Sequence, residues 1–163
     1  MSAPDEPRLT HLDEHGRAHM VDVGHKPVVR RRAVAVGFVT AAPATVAAMA
    51  EGVVPKGDVG AVARVAGIMA AKRTSEIVPL CHPLPLDRVA VDVEPQPDRG
   101  RVAITATAET SARTGVEMEA LTAVVAAALS VYDMLKGIDR GLAIEGVAVV
   151  EKRKDDPRPD AQG

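Results

Sequence analysis

The sequence predicts an α+β domain in which an antiparallel sheet carries helices packed on one face. The chain has 163 residues, the length of a single domain, and can bury a core without disulfide bonds. Short Val-rich stretches alternate apolar and polar positions, as strands do, and two longer stretches repeat apolar residues at helical spacing. Turn-forming residues separate them, so the predicted order is strand, helix, strand, strand, helix, strand.

The first half of the chain contributes one predicted strand and two predicted helices. Residues 28–40 are rich in Val and Arg with partial alternation, which favours a strand. Residues 43–50 are predicted to form a short helix. Asp58 can cap a longer helix over residues 59–74, whose apolar positions recur at helical spacing. Residues 75–86 contain three prolines and are predicted to be a loop.

The second half contributes a hairpin, a long helix and a last strand. Residues 88–94 and 101–109 are predicted strands, joined by a turn over residues 95–100. Residues 115–136 are apolar almost all round, which predicts a helix buried on several sides. Residues 142–151 form the last predicted strand. This order is that of the ferredoxin-like fold. Helices cover one face of such a sheet, and another subunit is the expected cover for the other, so we predict an oligomer.

The composition argues against several classes of protein. Trp is absent, and Phe38 and Tyr132 are the only aromatic residues, which argues against single-stranded nucleic-acid binding. A net charge of −2 argues against duplex binding. Cys81 is the only cysteine, so no disulfide framework is expected. The N-terminus lacks a signal-peptide pattern and the apolar run 120–131 is too short to span a bilayer. We therefore expect a cytoplasmic protein with no nucleic-acid or membrane partner.

The motif Leu80-Cys81-His82-Pro83 is the first candidate for chemistry. Its prolines can hold the His82 imidazole at a fixed angle, and an imidazole exchanges protons near neutral pH. A histidine that bonds a loop carbonyl explains the pattern equally well. A metal site at Cys81 and His82 is less favoured, because adjacent side chains seldom point the same way and no partner pair is visible.

The two ends of the long helix carry further candidates. Glu117 and Glu119 lie at its start, where carboxylates also suit the helix dipole. Two residues apart, they do not share a helical face, so we expect one to face a pocket and the other to be structural. Asp133 and Lys136 form either a surface ion pair or an acid/base unit at the other end. Glu119 and Asp133 are separated by roughly 21 Å along a helix, so a compact site that uses both needs a second subunit.

Positive residues are scattered through the same stretches. Each of Arg31, Lys56, Lys72 and Arg73 could be an ordinary surface charge, but together they suit a polyphosphate. Lys56 precedes a helix start, where backbone N–H groups can meet an anion. The glycine–lysine pattern of a P-loop is missing.

Three stretches resemble the molybdenum cofactor biosynthesis protein C family: LTHLDEHGRAHMVDVGHKP, KGDVGAVARVAGIMAAKRTSEIVPLCHPLPL and TGVEMEALTAVVAAALSVYDMLKGID. The resemblance covers about residues 9–152. It implies a ferredoxin-like subunit in a homo-hexamer, a trimer of dimers. It also implies cyclic pyranopterin monophosphate synthase activity on 3′,8-cyclo-7,8-dihydroguanosine 5′-triphosphate, with pyrophosphate released. A radical S-adenosylmethionine GTP cyclase would supply this substrate.

The resemblance also implies roles for particular residues. The catalytic positions fall on Asp133, Lys136 and Lys56. The substrate-binding positions fall on Leu80, Cys81, His82, Met118, Glu119, Glu117, Asp22, Arg31, Lys72, Arg73 and Lys152. No metal ligands and no required cofactor are implied, and it stays open whether Mg²⁺ accompanies the triphosphate. Residues 10–152 become a single catalytic domain, with flexible tails over 1–9 and 153–163.

One alternative from another class is open at this point. Small ferredoxin-like domains also serve as non-catalytic nucleotide-binding or regulatory modules, and the fold does not decide between these. The set of acid/base side chains at Asp133, Lys136, His82 and Glu119 favours an enzyme, because a module that only binds has no need for it.

Overall fold

The computed structural model describes residues 12–13 and 15–155. Its elements in chain order are β1 (Val29–Thr40), α1 (Pro43–Ala50), α2 (Val59–Ala71), α3 (Thr74–Ile77), β2 (Arg88–Gln96), β3 (Arg101–Ala112), α4 (Glu117–Leu135) and β4 (Ala143–Lys154). The strands form one sheet in the order β2-β3-β1-β4, and every neighbouring pair is antiparallel. The predicted α+β, ferredoxin-like fold class is confirmed.

Small side chains allow the helices to lie close to the sheet and to each other. Gly37 in β1 faces α4, and a Cβ atom there would lie 2.6 Å from Val124 Cγ1. At Gly67 in α2, a Cβ atom would lie 2.8 Å from the Ala123 carbonyl oxygen of α4. At such distances a larger residue forces the neighbouring atoms to move, and at Gly67 the nearest of them is backbone. The abundance of Ala and Val in this chain therefore reflects close packing.

Helix α4 is the central core element. Its buried residues include Ala120, Val124, Ala127 and Val131, and it packs on both the sheet and α2. The argument against a membrane span considered only the apolar run 120–131. The whole helix has 19 residues and, within the described part of the chain, is the one helix long and apolar enough to cross a membrane. Its packing on the sheet and on α2 makes it a core helix.

Three predicted boundaries need correction. The helix predicted over residues 59–74 ends at Ala71, and a separate turn of helix, α3, begins at Thr74 and runs into the region predicted as loop; β3 runs three residues past its predicted end, to Ala112. β4 continues through Arg153 and Lys154, which pair with Arg32 and Arg31 of β1, although both were placed in the flexible tail. Backbone pairing with the long β1 strand orders these charged residues. The predicted tails over 1–9 and 156–163 lie outside the described residues.

The outer surfaces of α2 and α4 are partly apolar. Val65 and Met69 of α2 and Leu129 of α4 each expose about half of their surface. Exposed apolar residues on the outer faces of neighbouring helices commonly mark interfaces. On the face of the sheet that no helix covers, the buried carboxylate of Glu109 accepts a hydrogen bond of 2.7 Å from Arg30. The exposed apolar residues of α2 and α4 agree with the expected oligomer, which stays a prediction.

Candidate active site

A cavity of about 540 Å³ opens at the start of α4. Three parts of the chain line it: the segment before β1, the proline-rich loop, and the turn that leads into α4. Six of the predicted substrate-binding residues are among its lining side chains: Leu80, Cys81, His82, Glu117, Met118 and Glu119. The fold therefore brings the proline-rich motif and the two glutamates to one place.

The end of β3 holds the proline-rich loop in position. The Thr110 hydroxyl, which is fully buried, donates to the Pro85 carbonyl oxygen. The backbone N–H of Asp87 donates to the Glu109 carbonyl oxygen at 2.9 Å. These contacts fix the C-terminal end of the loop that carries Cys81 and His82. These two hydrogen bonds add to the rigidity that we expected from the three prolines of the loop.

The Thr110→Val substitution should destabilise the protein by about 1–2 kcal/mol, because the Pro85 carbonyl loses its donor while the side-chain volume is kept. Urea denaturation followed by circular dichroism measures the change. Thr107→Val is the matched control, since Thr107 lies in the same strand and its hydroxyl has no hydrogen-bond partner among the described residues. Equal stabilities for the two variants would contradict the anchoring role of Thr110.

Glu119 is the buried acid of the cavity. Its side chain lines the cavity although the residue is only 4% exposed. Burial raises the pKa of this carboxyl, and the nearby negative charge of Glu117 raises it further. Burial also raises the pKa of the Cys81 thiol, with a smaller contribution from Glu119. A carboxyl that retains its proton closer to neutral pH is suited to donate or accept protons.

The raised pKa of Glu119 predicts a pH-dependent effect on stability. The folded state binds the proton of Glu119 more tightly than the unfolded state, so ionisation destabilises the fold as the pH rises. We expect Glu119→Gln to raise Tm at pH 7.5, with a smaller gain as the pH falls and wild-type Glu119 takes up its proton. Thermal denaturation across pH 4–8 tests this, with the exposed Glu51→Gln as control. A gain that is constant with pH would contradict it.

Glu117 has a different partner although it lines the same cavity. Its carboxylate forms an ion pair with the Lys152 ammonium of β4. The expectation that one of the two glutamates faces away from the pocket is wrong, because α4 begins at Glu117 and both side chains reach the cavity from its first turn. Lys152 does not line the cavity, but its ammonium contacts Glu117, which does.

Asp22 and Arg31 lie beside the cavity and not among its lining residues. The Asp22 carboxylate accepts the Gly24 N–H at 2.8 Å and closes a short turn. The Arg31 guanidinium donates to two carbonyl oxygens at the end of β3, at 3.1 and 3.0 Å. In this chain both side chains hold the backbone around the cavity.

The second cluster lies at the other end of α4 and joins the three predicted catalytic residues. The Asp133 carboxylate is 2.6 Å from the Lys136 Nζ and 3.5 Å from the Lys56 Nζ. Lys56 Nζ also donates to the Asp133 carbonyl oxygen at 2.8 Å, which satisfies a carbonyl at the helix end. Lys136, and then Lys56, lower the pKa of Asp133, and Asp133 raises the pKa of Lys136. The free chain therefore holds a carboxylate between two ammonium groups.

Lys72 and Arg73 belong to neither group within one chain. They follow α2, are exposed, and make no ion pair with a described residue. Lys26, by contrast, lines the cavity but was not predicted. Nothing in its local pattern distinguishes it from a surface lysine, and only the path of residues 21–26 across the cavity reveals it. Among residues 12–13 and 15–155, no group of His, Cys, Asp and Glu is arranged to hold a metal ion.

The two clusters cannot form one compact site in a single chain. Glu119 and Asp133 lie near opposite ends of the same uninterrupted helix. Their separation along its axis is roughly 21 Å. The cavity carries the apolar walls and a buried carboxyl, while the exposed cluster carries the charged acid/base groups.

Comparison with known proteins identifies one family and, among similar proteins, one recurring name. The MoaC family model matches residues 20–155. Similar proteins named cyclic pyranopterin monophosphate synthase occur in Thermomicrobium roseum, at 60% identity over 88% of this chain and 87% of the relative, and in Herpetosiphon aurantiacus, at 55% identity over 88% of each. A relative of the same name in Pelotomaculum thermopropionicum is 56% identical over 88% of this chain and 85% of its own.

Proposed function

This chain belongs to the MoaC family, and from that membership we propose that it is a cyclic pyranopterin monophosphate synthase of molybdenum cofactor biosynthesis. It converts 3′,8-cyclo-7,8-dihydroguanosine 5′-triphosphate to cyclic pyranopterin monophosphate and pyrophosphate, which makes it a lyase. The observation that carries the proposal beyond similarity is the contact of Lys56 and Lys136 with Asp133. These are the three residues to which the sequence resemblance assigned catalysis.

The reaction requires groups that move protons and groups that balance phosphate charge. A hydroxyl of the substrate attacks the α-phosphorus, a new P–O bond forms, and pyrophosphate leaves with the electrons of the broken P–O bond. Asp133, held as a carboxylate by Lys136, can accept a proton during these steps, and Lys136 can return one. Lys56 and further cations would stabilise the negative charge of the leaving pyrophosphate.

The cavity is assigned to the ring system of the substrate. Apolar walls at Val21, Val23 and Leu84 suit a flat heterocycle, and His82 and Glu119 can hydrogen-bond to its polar edge. Leu80, Cys81 and Met118 complete the surface around it. The positive residues assigned to the triphosphate lie outside the cavity: Arg31, Lys72, Arg73 and Lys152.

The complete site is proposed to form between two subunits. The separation of the two clusters along α4 supports this arrangement, since one chain cannot place Asp133 beside its own Glu119. We propose the homo-hexamer, a trimer of dimers, that the resemblance implies.

The wider setting follows from the substrate. We propose a cytoplasmic enzyme that receives its substrate from a radical S-adenosylmethionine GTP cyclase. No cofactor of its own is proposed to be required, and Mg²⁺ is proposed only as a companion of the triphosphate.

Product formation tests the proposed function directly. Purified protein is incubated with freshly prepared cyclised GTP, and pyrophosphate and cyclic pyranopterin monophosphate are followed by enzymatic assay and mass spectrometry. We expect both products in equal amounts, with EDTA changing the rate only through the metal bound to the substrate. Tight binding of the substrate without pyrophosphate release would contradict the proposal and favour a non-catalytic module.

A further inference from the structure

Residues 21–28, which we name the N-terminal wall, form the side of the cavity with the least regular structure. Val21, Val23 and Lys26 line the main cavity, and Val23 and Val28 line a neighbouring cavity of about 380 Å³. The segment contains no helix or strand, and its internal hydrogen bonds only close short turns. Its position against the cavity must therefore be set by contacts with the rest of the chain.

A side chain from the end of β3 makes such a contact. Arg113 Nε donates to the Lys26 carbonyl oxygen at 3.1 Å. Of the hydrogen bonds that join two described residues, this is the only one that links the N-terminal wall to the rest of the chain. Arg113 thus connects the wall to the turn that leads into α4.

Arg113 is itself held by the sheet. Arg31 of β1 donates from Nε to the Ala112 carbonyl oxygen at 3.1 Å and from Nη2 to the Arg113 carbonyl oxygen at 3.0 Å. A guanidinium group offers several donors in one rigid plane, so it can bridge two carbonyls in a fixed geometry. Arg31 and Arg113 thus form a chain of hydrogen bonds that connects β1, through the residues at the end of β3, to Lys26.

We propose that Arg113 is a positioning residue that holds the N-terminal wall in the geometry that binds substrate. Loss of its hydrogen bond frees Lys26 and the apolar side chains of Val21 and Val23 to move away from the cavity. The effect on turnover rests on the proposed function, because it concerns binding of that substrate. The contacts of Asp133 and Lys136 are with each other and with Lys56, and none of them involves the N-terminal wall, so we expect binding to weaken while the chemical step is kept.

Steady-state kinetics of three variants test this proposal. Arg113→Met removes the donor and keeps the apolar stem, and we expect KM to rise about fivefold with kcat within about twofold of wild type, as for one lost hydrogen bond. Arg113→Lys keeps a donor and should restore most of the affinity. Arg99→Met is the control, since Arg99 is exposed in the turn between β2 and β3, at the opposite end of the sheet.

Amide hydrogen exchange gives a readout that does not depend on activity. We expect exchange at residues 23–26 to accelerate about fivefold in Arg113→Met and to stay unchanged in Arg99→Met. Unchanged exchange in Arg113→Met would overturn the proposal. So would a rise in KM that is equal in Arg113→Met and Arg113→Lys with exchange unaltered, because Arg113 would then contact substrate directly. Faster exchange in a protein whose wild type forms no product would support the anchoring and overturn the proposed function alone.

Discussion

Replacing Asp133 with Asn is expected to lower kcat at least about a thousandfold, the range over which general acid/base groups act. Asn keeps the shape of the side chain but cannot accept a proton as a carboxylate does. Lys136→Ala should have a comparable effect, because it removes the ammonium that lies 2.6 Å from that carboxylate. Pyrophosphate release under saturating substrate measures both variants.

The fold should tolerate the Asp133 substitution. Its side chain is 59% exposed, so its loss leaves no buried group without a partner. Thermal denaturation and the oligomeric state should match wild type, and Asp98→Asn, in the turn after β2, should retain full turnover. Product formation by Asp133→Asn at close to the wild-type rate would show that this cluster is not the proton-transfer site.

Mixing two inactive variants should restore activity if each site is shared between subunits. Glu119→Gln disables the cavity and Asp133→Asn disables the exposed cluster at the other end of α4. In a mixed dimer with two shared sites, one site receives both changes and the other receives neither. In the proposed hexamer, subunits drawn at random leave about a quarter of the shared sites without either change, so mixed hexamers should show about a quarter of wild-type activity.

The mixing experiment needs proof of exchange. Differently tagged variants are co-expressed and purified over both tags in sequence, so that only mixed oligomers are assayed. A tagged pair of Asp133→Asn subunits serves as the control and should stay inactive. Mixed oligomers without activity would show that each chain carries its own complete site.

The sequence was most informative where local chemistry matches the final fold. Asp58 caps α2 as predicted, with its carboxylate accepting the Ala61 N–H at 2.9 Å. The alternation of β2 and β3 and the apolar length of α4 gave the order of elements. The end of β4 was missed, because Arg153 and Lys154 have no strand pattern of their own and are ordered by pairing with β1.

The candidate site was predictable in part for the same reason. Lys136 lies one helical turn from Asp133, so their contact can be predicted from spacing alone. Lys56 is 77 residues away from Asp133 along the chain, and only the fold brings its ammonium to the end of α4. The contact between Arg113 and Lys26 could not be predicted either, because it depends on the path of an irregular segment that no periodicity indicates.

The scarcity of aromatic residues has a practical consequence. Tyr132 is the single tyrosine and the chain has no tryptophan, so its near-ultraviolet fluorescence comes from one phenol ring. That ring is partly buried against the core, next to Asp133 in sequence, and the Tyr132 carbonyl oxygen accepts the Lys136 N–H at 2.9 Å. The protein thus carries an intrinsic optical probe at the end of α4 where the catalytic cluster is proposed. Events there can be followed by emission intensity without any attached dye.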